Sequence, residues 1–185
     1  MFQDNGFNLK CLKLKKLKEF FIPYKGLSIG IHKYSFDIND KFFEEIEYSE
    51  FSKGSLIAGL SLEKQERMII LNFSIKGTVV VQCDRCLEDM DYPVDIRETL
   101  YVKFGENKDE ETEEILILPD AEYQLDISRL INEYITLAMP LRHIHGDDEN
   151  GVSLCDVDAL KMLEELSERN TIDPRWEKLK NIKID

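Results

Sequence analysis

The stretch Val79-Val80-Val81-Gln82-Cys83-Asp84-Arg85-Cys86-Leu87-Glu88 constrains this chain more than any other. A β-branched apolar run favours an extended strand. Here it delivers two thiols, spaced C-x-x-C, onto a tight turn, and a second extended run leaves from Met90. Thiols at this spacing can chelate a metal ion, pair as a redox dithiol, or pack as free side chains that shape the turn. The loop Pro140-Leu141-Arg142-His143-Ile144-His145, with Cys155 beyond it, offers the second half of a ligand set.

At 185 residues the chain is long enough to bury a sizeable core, and 43% apolar residues exclude wholesale disorder. No apolar run approaches the roughly 20 residues a membrane helix needs. No apolar leader followed by a small-residue cleavage site opens the sequence, so we expect a cytoplasmic protein. With four cysteines in a reducing compartment, a metal site or free thiols are expected rather than a disulfide framework. Asp plus Glu number 37 against 24 Lys plus Arg, a net charge of −13. That field argues against an extensive, non-specific grip on nucleic acid. It favours encounter with a basic partner, or serves solubility alone.

Residues 1–19 read as a basic and apolar arm, with Lys10, Lys13, Lys15, Lys16 and Lys18 set among leucines, either a local contact or a solvated leader. Residues 20–185 read as a single domain. Phe20–Asp37 predicts a strand, a Lys25-Gly26 turn and a second strand. In that second strand Leu27, Ile29 and Ile31 take the apolar phase, and His32 the polar, exposed one. Asp40 is expected to cap a short helix carrying Phe42, Phe43, Ile46 and Phe51. Strands follow over Ser55–Leu62 and Met68–Ile75, then a Lys76-Gly77 turn, then Thr78–Gln82 into the cysteine knuckle. Beyond it Val94, Ile96, Leu100, Val102 and Phe104 alternate in one phase. Gly105–Glu114 is an acidic excursion, either a solvated loop or a docking patch for a basic partner. Ile115–Leu118 is a short apolar strand. Asp126 reads as the N-cap of a helix to Leu137, with Ile127, Leu130, Ile131, Tyr134, Ile135 and Ala138 on one face. A second helix starts at Asp156 or Asp158 and carries Leu160, Leu163 and Leu166. The fold class is α+β: a curved antiparallel β-sheet meander with one short early helix and two C-terminal helices.

A structural zinc ion takes four Cys or His ligands in a tetrahedron. Cys83, Cys86, His145 and Cys155 supply such a Cys3His set, with His143 competing for the imidazole position. The bland alternative is free thiols shaping a turn, beside exposed histidines. A redox dithiol belongs at a helix start in a βαβ setting, whereas this motif lies between two extended runs. No phosphate-binding glycine loop, G-x-S-x-G or H-E-x-x-H occurs, and the chain reads as a non-enzyme.

Taken together, the Cys-Asp-Arg-Cys-Leu knuckle, Leu137-Ala138-Met139-Pro140, His145 and Cys155 resemble the YceD family, the bacterial and plastid large ribosomal RNA subunit accumulation proteins. The resemblance runs from about Phe20 to the end and includes Phe42-Phe43, Gly77–Leu87 and Asp173-Pro174-Arg175-Trp176. It implies a non-enzymatic role in accumulation or maturation of 23S ribosomal RNA, hence in large-subunit biogenesis. Cys83, Cys86, His145 and Cys155 match the family's polar positions; metal binding is inferred from ligand type and spacing. Two partners are expected: a basic large-subunit ribosomal protein, or 23S ribosomal RNA itself through Arg142, Arg175, Lys178 and Lys180. A thiol oxidoreductase is the third reading, and neither a membrane nor a small-molecule substrate is expected.

Overall fold

A computed structural model describes residues 17–106 and 111–168. The arm before Leu17, part of the acidic excursion, and the tail holding Arg175, Trp176, Lys178 and Lys180 lie outside the described residues. The chain divides into two compact units. Of the described residues, one unit takes those up to Val81 and those between Asp91 and Leu141; the other takes Gln82–Met90 and those from Arg142 to Glu168.

The larger unit opens with β1 (Phe21–Ile22) and is built on a five-stranded open sheet. Its strands are β2 (Gly30–Ile38), β3 (Gly54–Lys64), β4 (Met68–Gln82), β5 (Asp89–Phe104) and β6 (Ile115–Leu118), in that spatial order. The expected α+β class holds, with a mostly antiparallel sheet and three α-helices among the described residues. One pair departs from the meander: β6 runs parallel to β5, with Ile115 opposite Tyr101. Parallel neighbours cannot be joined by a tight hairpin.

The inward face follows the period-two pattern most clearly in β5, where Val94, Ile96, Leu100 and Val102 are buried as expected. In β2 the expected phase is reversed. Ile29 and Ile31 are 66% and 64% exposed, while Phe36 and Ile38 turn inward and His32 shares their face. His32 is half-buried, with its Nε2 2.9 Å from the Ser28 carbonyl oxygen. Within Gly30–Ile38 the inward phase carries Tyr34, Phe36 and Ile38 and the outward one Lys33, Ser35 and Asp37, so the alternation read from Leu27, Ile29 and Ile31 does not carry through the strand. Phe36 stacks on Phe20 at 5.2 Å between centroids, which fixes the whole strand's register.

Lys76-Gly77 is not a turn. β4 runs through it in unbroken register with β3, from Ile69 opposite Lys64 to Val79 opposite Gly54. Gly77 takes φ +150°, and a Cβ there would collide with the Ser55 carbonyl oxygen and the Leu56 backbone. The glycine marks a close backbone approach inside a strand rather than its end.

Helix α1 (Asp40–Glu45) is capped one residue earlier than expected, by Asn39. Asn39 is extended, and its side-chain oxygen accepts the Lys41 N–H at 3.1 Å. Asp40 instead accepts the Gly54 N–H at 3.0 Å and ties the helix to β3. Ile46 reverts to extended backbone, so Phe51 is buried from the following loop rather than from the helix.

The second helix, α2 (Ser128–Leu137), is entered from β7 (Leu125–Asp126), which pairs with β1. Asp126 binds both the Ser128 N–H and its hydroxyl from outside the helix, while Ile127 occupies the cap position. Ile127, Ile131 and Ile135 are 0% exposed, so the expected apolar face is the buried one; Ala138 lies outside it, exposed. Tyr134 meets Phe73 of β4 edge-on at 5.2 Å.

Gly77→Ala should destabilise the protein by about 2 kcal/mol or more, because the added methyl meets backbone rather than a flexible side chain. At Gly59 the nearest atom to an added Cβ is 3.6 Å away, so Gly59→Ala should stay within about 0.5 kcal/mol of the parent. Urea unfolding of the two variants side by side measures this, and equal midpoints would refute the close-approach role of Gly77.

Candidate metal centre

The smaller unit is organised by the knuckle between β4 and β5. Cys83 donates its N–H to the Glu88 carbonyl at 2.9 Å, and its own carbonyl accepts the Leu87 N–H at 2.9 Å. Closing so tight a turn puts Leu87 in the left-handed region, at φ +64°. The Gln82 amide nitrogen braces the Leu87 carbonyl from outside at 2.8 Å. The result is a rigid turn that presents the sulfurs of Cys83 and Cys86 on one side.

The loop after Pro140 is carried to these sulfurs by Asp84. Its N–H donates to the His143 carbonyl at 2.7 Å, and its carboxylate accepts the His143 N–H at 2.6 Å. His143 is thus held by its backbone, and its side chain is not among the clustered donors. His145, two residues on, reaches the cysteines. A small hairpin then reverses the chain. Asp148 accepts the N–H groups of Asn150 and Val152, each at 2.8 Å, Gly151 takes φ +79°, and Asp147 bridges to Ser153. Those same N–H groups hold the exposed Asp148 carboxyl below its usual pKa. The Ser153 hydroxyl oxygen receives the Cys155 N–H at 3.3 Å and an Arg85 guanidinium N–H at 3.3 Å. Asp156 caps helix α3 (Val157–Glu168) by accepting the Ala159 N–H at 2.7 Å, so Cys155 sits directly before the helix start.

These supports bring one donor atom each of Cys83, Cys86, His145 and Cys155 within 4.8 Å of one another. The sulfurs of Cys83 and Cys155 are 3.8 Å apart, and Cys86 Sγ lies 3.3 Å from His145 Nδ1. Tetrahedral ligands at about 2.3 Å from zinc stand about 3.8 Å apart, whereas a disulfide needs about 2.05 Å. The donor set therefore fits a metal ion and is not a disulfide. All three cysteines are buried, and Met90, Ile144, Ala159 and Leu160 pack around them. Burial alone raises the Cys83 pKa. The N–H groups of Cys86, His145 and Arg85 outweigh it and bring the thiol down to about 5, in the thiolate range a metal requires. Ser153 lowers Cys155, but burial and the neighbouring sulfurs prevail and leave that thiol above its ordinary value.

Of the other expected contact residues, Arg142 is exposed. Arg175, Lys178, Lys180 and the arm before Leu17 lie outside the described residues. Sequence reasoning missed the supporting residues Asp84, Asp148 and Ser153. The Asp148-x-Asn150-Gly151 pattern is a turn signature that reveals the hairpin; nothing local marks Asp84.

Two outcomes are expected. Asp84→Ala should weaken zinc affinity by about tenfold or more, measured by competition with a chromophoric chelator, since a group that orients a ligand has been removed. Parent-like affinity would contradict the clamp. In the metal-free reduced chain, ultraviolet thiolate absorbance should be present at neutral pH and fall away as pH drops through about 5. The folded pKa lies below the unfolded one. The Cys83 thiolate thus stabilises the metal-free fold fully above the ordinary thiol pKa, and this contribution is lost as pH falls through the folded value. A first thiol titrating only in the ordinary range would refute the arrangement of N–H groups around Cys83.

The family described as large ribosomal RNA subunit accumulation protein YceD matches residues 71–183, a span that takes in the knuckle, α2, the histidine loop and α3. Uncharacterized protein YlbN of Bacillus subtilis (strain 168) is 25% identical over 151 residues, 77% of this chain and 87% of that protein. No solved structure gives a significant match. With the knuckle and its partner loop inside a match that spans more than half of the sequence, the chain belongs to the YceD family.

Proposed function

We propose that this protein is a non-enzymatic cytoplasmic factor for the accumulation and maturation of 23S ribosomal RNA, acting in large-subunit biogenesis through a basic ribosomal protein. The family match carries the ribosomal part of this reading. The net charge of −13 supplies the sign of the partner, since such a field repels phosphate and speeds encounter with a cationic surface. No helix among the described residues is long and apolar enough to cross a membrane.

The Cys3His cluster is read as a structural zinc site. All four positions of a tetrahedron are supplied by side chains, and this leaves no open position for substrate or water. Bound zinc would cross-link the knuckle to the loop that follows Pro140. The setting also counts against a thiol oxidoreductase, because Cys83 and Cys86 lie on a turn between strands and not at a helix N-terminus. Direct contact with ribosomal RNA is the second reading; within the described residues it rests on the exposed Arg142.

A tagged pull-down at low salt, split into nuclease-treated and untreated halves, separates the two. A basic large-subunit protein should survive nuclease and be released by salt; recovery that vanishes with nuclease would move the contact to RNA. Metal analysis should find about one zinc per chain. Chelator and Cys86→Ser should each lower the melting temperature, since metal binding contributes to folding. Indifference to both would overturn the zinc.

A further inference from the structure

The larger unit holds a cleft of about 540 Å³ that the metal centre does not use. Its apolar lining is Leu17, Phe21 and Ile46, contributed by the entry of the chain and the end of α1. Around this lining stand three carboxylates, Glu45, Glu47 and Asp126, against one guanidinium, Arg129 at the start of α2. The volume lies in the range of built ligand sites and exceeds a single side chain. Its chemistry is amphipathic: apolar within and, on balance, anionic at the edge.

Tyr48 lies at the same cleft and is 91% exposed, with a backbone φ of +66°. A bulky residue in the left-handed region is strained and persists only where its surroundings hold it. Here they do. The next residue, Ser49, donates its hydroxyl to Asn132 Oδ1 of α2 at 3.0 Å, and accepts the Phe51 N–H at 3.2 Å. The aromatic ring is therefore presented to solvent by a loop that is tied down on the far side of the cleft.

We infer that this cleft is the docking site for a lysine- or arginine-bearing extended segment of a basic protein. The long stems of such side chains lie along Phe21 and Ile46 while their charged heads meet the carboxylates. Tyr48 offers its ring face to a cation. Three carboxylates against one guanidinium disfavour a phosphate-bearing ligand, so RNA is not the occupant. The identification of that protein as the large-subunit partner rests on the function proposed above; the cleft and its ligand chemistry do not.

The test uses the full-length chain, isotopically labelled, titrated with a synthetic peptide of alternating leucine and lysine and with its leucine–glutamate counterpart. The lysine peptide should shift the backbone amide signals of Glu47, Tyr48, Arg129 and Asn132 in a saturable, salt-sensitive way, and the glutamate peptide should not. Glu47→Lys and Tyr48→Asn should each weaken binding by about tenfold or more; asparagine is chosen because it tolerates left-handed backbone. Glu66→Lys, a charge reversal on the exposed β3–β4 turn, should leave binding unchanged. Shifts that fall elsewhere, or equal binding by Glu47→Lys and the parent, would overturn the cleft. The same variants in the nuclease-treated pull-down keep the two ideas apart. Ribosomal proteins captured equally by parent and Glu47→Lys would remove the cleft and leave the proposed function standing. Peptide binding that Glu47→Lys abolishes, with no ribosomal protein captured by the parent, would leave the cleft standing and remove the ribosomal partner.

Discussion

The smaller unit depends on the confinement of four donor atoms within 4.8 Å of one another. Among the described residues its apolar cluster is the three cysteines with Met90, Ile144, Ala159 and Leu160 around them. Val152, Leu154, Met162, Leu163 and Leu166 are all exposed. Small units are commonly held by cross-links or metals. The proposed zinc supplies that cross-link between segments as much as 72 residues apart. Asp84 is the second element of the arrangement, because it fixes the path of the loop independently of any ligand bond.

The larger unit needs no such device. Helix α2 and its cap residue Ile127 bury three isoleucines completely, and rings of Phe20, Phe36, Phe42 and Phe43 meet one another near the chain entry. Long-range backbone contacts finish the packing. Tyr24 donates its hydroxyl to the Glu122 carbonyl at 2.7 Å, and Lys64 Nζ donates to the carbonyls of Tyr24 and Leu27. A lysine that caps backbone carbonyls anchors the N-terminal turn without adding to the surface charge available to partners.

This division gives the two units different work. In the proposed reading the Cys3His cluster is a closed metal centre, with all its ligands spent on structure. The acidic cleft beside Tyr48 is open and built from three separate segments. A family role in ribosomal RNA accumulation carried by a protein of net charge −13 is physically coherent when the contact is with cationic protein rather than with phosphate.

The knuckle, the clustering of Cys83, Cys86, His145 and Cys155, the inward phase of β5 and the buried face of α2 were all legible in the amino-acid sequence. They follow from rules that act over a few residues: thiol spacing, period-two alternation and the helical repeat. The tertiary structure alone decided the passage of β4 through Gly77, the parallel β6 and the cap at Asn39. Each turns on an atom far along the chain: the Ser55 carbonyl, the edge of β5, and the Gly54 N–H that draws Asp40 away. The choice of His145 over His143 has the same origin. Both imidazoles stand in one loop with equal ligand chemistry, and Asp84, 59 residues away, clamps the backbone of one so that the side chain of the other meets the sulfurs.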